Sequence, residues 1–115
     1  MKVLVIVNAS PWGTTLAATA LRAARALAAA GQGIDAVFFR GDGVYNALPG
    51  RGGDTDTAGL AGAWAEFADA AGFPLLLCSS AALRRLDSAP ASGFREAGLA
   101  EVLERMAGCD RVVTF

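Results

Sequence analysis

Pro74-Leu75-Leu76-Leu77-Cys78-Ser79-Ser80-Ala81-Ala82-Leu83-Arg84-Arg85 joins a short apolar run to the opening of a helix. Such a run reads as a buried parallel strand, and the residue at its carboxyl end lies on the rim where open α/β sheets place their ligands. Cys78 is that residue. The helix N-terminus that follows favours its thiolate over its thiol. The chain has no His, so chemistry at this thiol proceeds without an imidazole base. Sulfur transfer is one reaction that can.

Working outward, Val3 to Val7 is a continuous aliphatic run suited to a strand covered on both faces. Thr14 to Ala30 predicts a helix with Leu16, Ala20, Leu21, Ala24 and Leu27 inward, stopped by Gly31. Ile34 to Phe39 predicts a second strand. The glycine-rich connection 40–57 follows, with 49–56 expected to be mobile and Val44, Tyr45 and Leu48 apolar enough to pack back on the fold. Leu60 to Ala71 predicts a helix with Trp64, Phe67 and Ala68 on one face. Leu75 to Cys78 is the third strand, and a short helix runs to about Leu86. Arg95 to Ala107 predicts a last helix with Leu99, Val102, Leu103 and Met106 inward, and Arg111 to Phe115 a terminal strand. This alternation predicts a single α/β domain over residues 1–115, a three-layer sandwich with a parallel four- to five-stranded sheet and helices on both faces. A flavodoxin-like order, second-first-third-fourth, is expected. It would open a crevice between the first and third strands and set the loop at Asn8 to Thr14 beside Cys78.

Composition narrows the function classes. At 115 residues and a formal charge of -1, the chain has no basic footprint, so direct tight nucleic-acid binding is not expected. Two cysteines in an α/β pattern without a secretory leader lead to an expectation of reduced thiols in the cytoplasm. The run Val3 to Val7 is too short for a membrane span or a signal-peptide core.

Each candidate residue has a bland reading beside the functional one. Cys78 read blandly is a small buried hydrophobe, but its place at a strand-to-helix junction favours function. Backbone amides there, with the Ser79 and Ser80 hydroxyls, suit a thiolate or persulfide anion. Arg84 and Arg85 either add positive potential or form a solvated helix face, which is the reading for at least one of them. Cys109 falls at the amino end of the sheet, too far for a disulfide to Cys78, and reads as structural. Without CxxC, a Cys/His cluster or an acidic triplet, no metal site and no cofactor is expected. Ser10-Pro11-Trp12-Gly13-Thr14-Thr15 lacks the Walker lysine and the GxGxxG spacing, leaving a tight turn with Thr14 as N-cap at least on a par with phosphate binding. Tyr45 and Asn46 line a pocket or partner surface, or else the segment is a glycine-turned loop whose Val44 and Tyr45 plug the sheet edge.

The segments FFRGDGVYNA, LLLCSSAALRR and GF…GLAEVLERMAGCDRVVTF, with SPWGTT after the first strand, resemble the DsrE/TusD family of small sulfurtransferase subunits over nearly the whole chain. The resemblance implies that Cys78 carries sulfur as a persulfide. It also implies assembly with TusB-like and TusC-like subunits, a TusA-type donor and a TusE/DsrC-type acceptor, toward tRNA wobble-uridine 2-thiolation or intracellular sulfur oxidation. Between Leu86 and Gly93-Phe94 the chain departs from that pattern, with roughly a dozen residues fewer than family members carry. The expected reaction is transpersulfidation at Cys78. The alternatives are a non-catalytic scaffold subunit and a flavin- or nucleotide-binding module.

Overall fold

Five parallel strands in the order β4-β3-β2-β1-β5 form the centre of the computed structural model, which describes residues 1–49 and 59–115. The elements are β1 (Lys2–Val7), α1 (Leu16–Ala29), β2 (Gly33–Phe39), a 3-10 helix (Gly41–Ala47), α2 (Leu60–Ala71), β3 (Leu75–Cys78), α3 (Ser79–Arg85), β4 (Phe94–Ala97), α4 (Leu99–Gly108) and β5 (Arg111–Thr114). Most of the stretch 49–56, expected to be mobile, lies outside the described residues.

The aliphatic run of β1 does what its composition requires. Val3, Val5 and Val7 face a core built with Ala17, Ala20, Leu21 and Ala24 of α1 and Leu60, Ala61, Trp64 and Ala68 of α2. Leu4 and Ile6 face the other layer, where they meet Phe38, Leu76, Ala97 and Val102 of α4. Alternating residues thus seal both faces. Trp64 is fully buried and stands edge-on to Phe39, with ring centroids 5.4 Å apart. Gly31 ends α1 in the left-handed region at φ 85°, and its N–H donates to Ala28 O.

The strand order corrects the flavodoxin-like expectation. β2 lies between β1 and β3, so no crevice opens between those two strands. The first crossover packs β2 directly on β1, from Lys2 opposite Gly33 to Val7 opposite Phe39. A further strand, β4, pairs with β3 from Leu75–Phe94 to Cys78–Ala97. Arg95 to Ala97 is therefore strand rather than the start of the last helix.

Helix α4 also sits differently from the expected inward face. Val102 is buried, while Leu99, Leu103 and Met106 are 69%, 54% and 37% exposed. An ionic ladder sets the rotation. Arg105 donates to Asp35 Oδ2 of β2 at 3.1 Å and to Glu101 Oε2 at 3.2 Å, and Arg95 of β4 grips both Glu101 oxygens at 3.0 and 2.6 Å. Turning Glu101 and Arg105 toward the sheet swings the apolar stripe out by about a quarter turn.

Candidate functional site

Cys78 ends β3 and is the N-cap of α3, with φ −59° and ψ 117°. It is half-buried, packed at its base against the residues of both core layers. Its Sγ lies 3.4 Å from Ser80 Oγ. Burial pushes the thiol pKa up. The Ser80 hydroxyl, the backbone N–H groups of Ala81 and Ser80 and the positive charge of Arg40 outweigh it, so the thiol titrates below its ordinary value of 9.0. Hydrogen bonds and charge act on the ionised form, which is the nucleophile. The arrangement favours the thiolate of an accessible thiol without a general base.

Of the expected supporting residues, Ser80 makes this contact. Among the described residues the side chains of Ser79 and Arg84 make no hydrogen bond or ion pair. Arg85 is engaged elsewhere: its Nε donates to Asp42 Oδ1 at 2.9 Å, tying α3 to the 3-10 helix. Arg40 is the residue that sequence reading missed. It lies 38 positions before Cys78 in the chain, and the neighbour relation of β2 and β3 brings it to the thiol. Only knowledge of the strand order could have found it.

The wall of the rim is the 3-10 helix rather than the loop after β1. Val44, Asn46, Ala47 and Leu48 are buried, as expected for Val44 and Leu48. Asn46 Nδ2 donates to Ala9 O at 2.9 Å and to Gly43 O at 2.8 Å, tying the 3-10 helix to the first loop. Trp12 leans on Tyr45 with centroids 5.2 Å apart. The Ser10 hydroxyl donates to Trp12 O at 2.9 Å, and the Thr14 hydroxyl accepts from Leu16 N–H at 3.3 Å, so the loop's polar groups close a local turn. The helix begins one residue later than expected, with Thr15 at the N-cap.

Cys109 lies at the opposite end of the sheet, between α4 and β5. Burial raises its pKa, and the Asp35 carboxylate adds to the rise. The short loop after α3 contributes Ser88 and Pro90 to a cavity of about 170 Å³, closed by Leu77, Leu86 and Glu96; Cys78 is not in its wall. No helix among the described residues is long and apolar enough to cross a membrane.

The sequence model of the DsrE/DsrF-like family matches residues 1–115. A curated relative, the sulfurtransferase TusD of Cronobacter sakazakii, is 35% identical over 128 residues, which cover 100% of this chain and 100% of that protein. The crystal structure of the YchN protein from E. coli superposes with a TM-score of 0.81, over 100% of this chain and 99% of that one. Its sequence identity is 23%, so that likeness is one of fold.

Proposed function

The chain belongs to the DsrE/DsrF-like family, and from that premise we propose that it is a sulfurtransferase that relays sulfur as a persulfide on Cys78. The observation that carries the reading is a half-exposed thiol at a strand's carboxyl end, hydrogen-bonded so that its pKa is lowered. The name of the curated relative supports the reaction class. The Cys78 thiolate attacks the outer sulfur of a donor persulfide; the S–S bond of the donor breaks, its inner sulfur leaves as a thiolate, and Cys78 becomes Cys78–S–SH. An acceptor thiolate then takes the outer sulfur and releases the Cys78 thiolate. Neither step needs an outside oxidant or reductant, and neither needs an imidazole.

The donor and acceptor in this reading are TusA-type and TusE/DsrC-type proteins, and the chain works in the cytoplasm beside TusB-like and TusC-like subunits. The exposed apolar stripe Leu99, Leu103 and Met106 supports an assembled state. The sulfur passes toward tRNA 2-thiolation or sulfur oxidation. A flavin or nucleotide module is disfavoured because β3 is not beside β1, so the crevice between those two strands that this reading relied on does not form.

The test is intact-protein mass spectrometry after incubation with a persulfide-generating cysteine desulfurase, using wild type, Cys78→Ser and Cys109→Ser. The expected result is a reductant-sensitive gain of one sulfur atom that vanishes only in Cys78→Ser. No gain under conditions that load a known carrier would overturn the reading and favour a scaffold subunit.

A further inference from the structure

Strand register sets a charged residue beside Cys78 that the relay scheme above does not use. Phe39 and Leu77 are the last paired residues of β2 and β3, so Arg40 and Cys78 follow them across the same step of the ladder. Phe38 and Leu76 face the layer that holds α4, and a period of two directs Arg40 and Cys78 toward that same face. Side chains so related have β-carbons about 5 Å apart.

The backbone of Arg40 is held from both sides. Its N–H donates to Val7 O at 3.1 Å, and its carbonyl accepts from Gly43 N–H at 2.9 Å. Its side chain is exposed and has no ion pair among the described residues. The other arginines of the rim are differently placed. Arg85 is neutralised by Asp42, and Arg84 lies six residues along α3, about 9 Å up the helix axis from Cys78.

We propose that Arg40 is a positioning residue of the sulfur site, its guanidinium drawing anionic sulfur groups, an attacking thiolate or a charged persulfide, onto Cys78. The proposal rests on the Cys78 relay reading. Both exchange steps bring a thiolate to a sulfur whose partner departs as a thiolate, so negative charge accumulates at the rim as the bond changes hands. A fixed cation lowers the repulsion on approach and stabilises that charge. Arginine holds its proton throughout the working range. No proton or electron passes through it.

The experiment compares alkylation of Cys78 by anionic iodoacetate and by neutral iodoacetamide in a Cys109→Ser background. The ratio of the two rates reports the local potential and cancels the fraction of thiolate. A unit charge about 7 Å away in water changes the local concentration of an anion about threefold. Arg40→Gln is expected to lower the iodoacetate-to-iodoacetamide ratio about threefold at low ionic strength, the difference shrinking as salt is added. Arg40→Lys is expected to keep the ratio near wild type, and Arg84→Gln to lower it by less than Arg40→Gln does. An unchanged ratio in Arg40→Gln, or an equal fall in Arg84→Gln, would overturn the proposal. Alkylation does not depend on sulfur transfer. Persulfide loading with an unchanged ratio would remove Arg40's role alone, whereas an Arg40-dependent ratio without loading would remove the relay reading, and the sulfur-positioning role with it, and leave only the charge of Arg40 at the thiol.

Discussion

Replacing Gly43 by Ala tests whether the 3-10 helix is seated on the central strand as tightly as its geometry implies. A β-carbon at this position would lie 2.0 Å from the Val7 carbonyl oxygen and 2.8 Å from the Val7 carbonyl carbon. Both atoms are backbone of β1, the strand that pairs with β2 on one side and β5 on the other, so no side-chain rotation relieves the contact. A carbon–oxygen contact needs about 3.3 Å, which requires the 3-10 helix to lift by about 1 Å. Lifting stretches the Gly43 N–H bond to Arg40 O (2.9 Å) and the Asn46 Nδ2 bond to Ala9 O (2.9 Å). Asn46 is 1% exposed, so bulk water does not readily replace what is lost. Overpacking costs about 1–3 kcal/mol and each loosened buried hydrogen bond about 1 kcal/mol. The expected loss is about 3–5 kcal/mol, a large share of the roughly 5–15 kcal/mol that holds a domain together.

The matched control is Gly62→Ala. Gly62 is exposed within α2, and a β-carbon there meets nothing within 4 Å. Relief of backbone entropy is expected to stabilise this variant by about 0.5–1 kcal/mol. Urea unfolding followed by circular dichroism measures both, with unchanged m-values required for the comparison. A Gly43→Ala protein within about 1 kcal/mol of wild type would refute the seating argument. So would a Gly62→Ala protein that loses as much as Gly43→Ala.

Three further outcomes follow from the ionisable groups and from the rotation of α4. The pH profile of iodoacetamide alkylation should place the midpoint of Cys78 below the ordinary thiol value and that of Cys109 above it; Ser80→Ala should move the Cys78 midpoint upward, because burial is then less opposed. Glu101 is held at a pKa of about 2, chiefly by its hydrogen bonds to Arg95, so its contribution to stability is complete above its ordinary 4.5 and is lost as pH falls toward 2. The difference in Tm between wild type and Glu101→Gln should accordingly be steady near neutrality and close across that acidic window. On α4, Val102→Ala should cost about 2 kcal/mol in urea unfolding and Leu103→Ala less than about 0.5 kcal/mol in the isolated chain; equal costs would mean that the apolar stripe faces the sheet after all.

The layers of the fold were legible in local pattern. Val3 to Val7 and Leu75 to Cys78 read as continuous apolar strands and are strands with both faces covered, and Leu60–Ala71 carries its Trp64 inward as its spacing implies. What local pattern left out was set by pairs distant in sequence. Nothing near Arg95 says strand, because Phe94–Ala97 becomes one by hydrogen-bonding to β3. The rotation of α4 was hidden for a similar reason. Leu99, Leu103 and Met106 outvote Val102 on hydropathy, yet Arg105 reaches Asp35, 70 residues earlier in the chain, and turns the helix the other way.

The same distinction explains how much of the site could be read. The strand-to-helix junction that marks Cys78 is local, and so is the Ser80 contact two residues on. Arg40 became visible only with the strand order, and that order differs from the expected one by the position of β3, which lies beyond β2 and not beside β1. Had β1 stood beside β3, the Ser10–Thr14 turn would have faced the thiol with hydroxyls and amides, an arrangement suited to phosphate. With β2 there instead, the end of β2 presents a guanidinium, and the 3-10 helix presents Asp42 already paired with Arg85. Moving β3 from beside β1 to beside β2 thus exchanges a neutral amide cradle for a positive charge beside the nucleophile. In a chain without histidine, the Ser80 hydroxyl, the α3 amides and that charge are what remain to favour the thiolate.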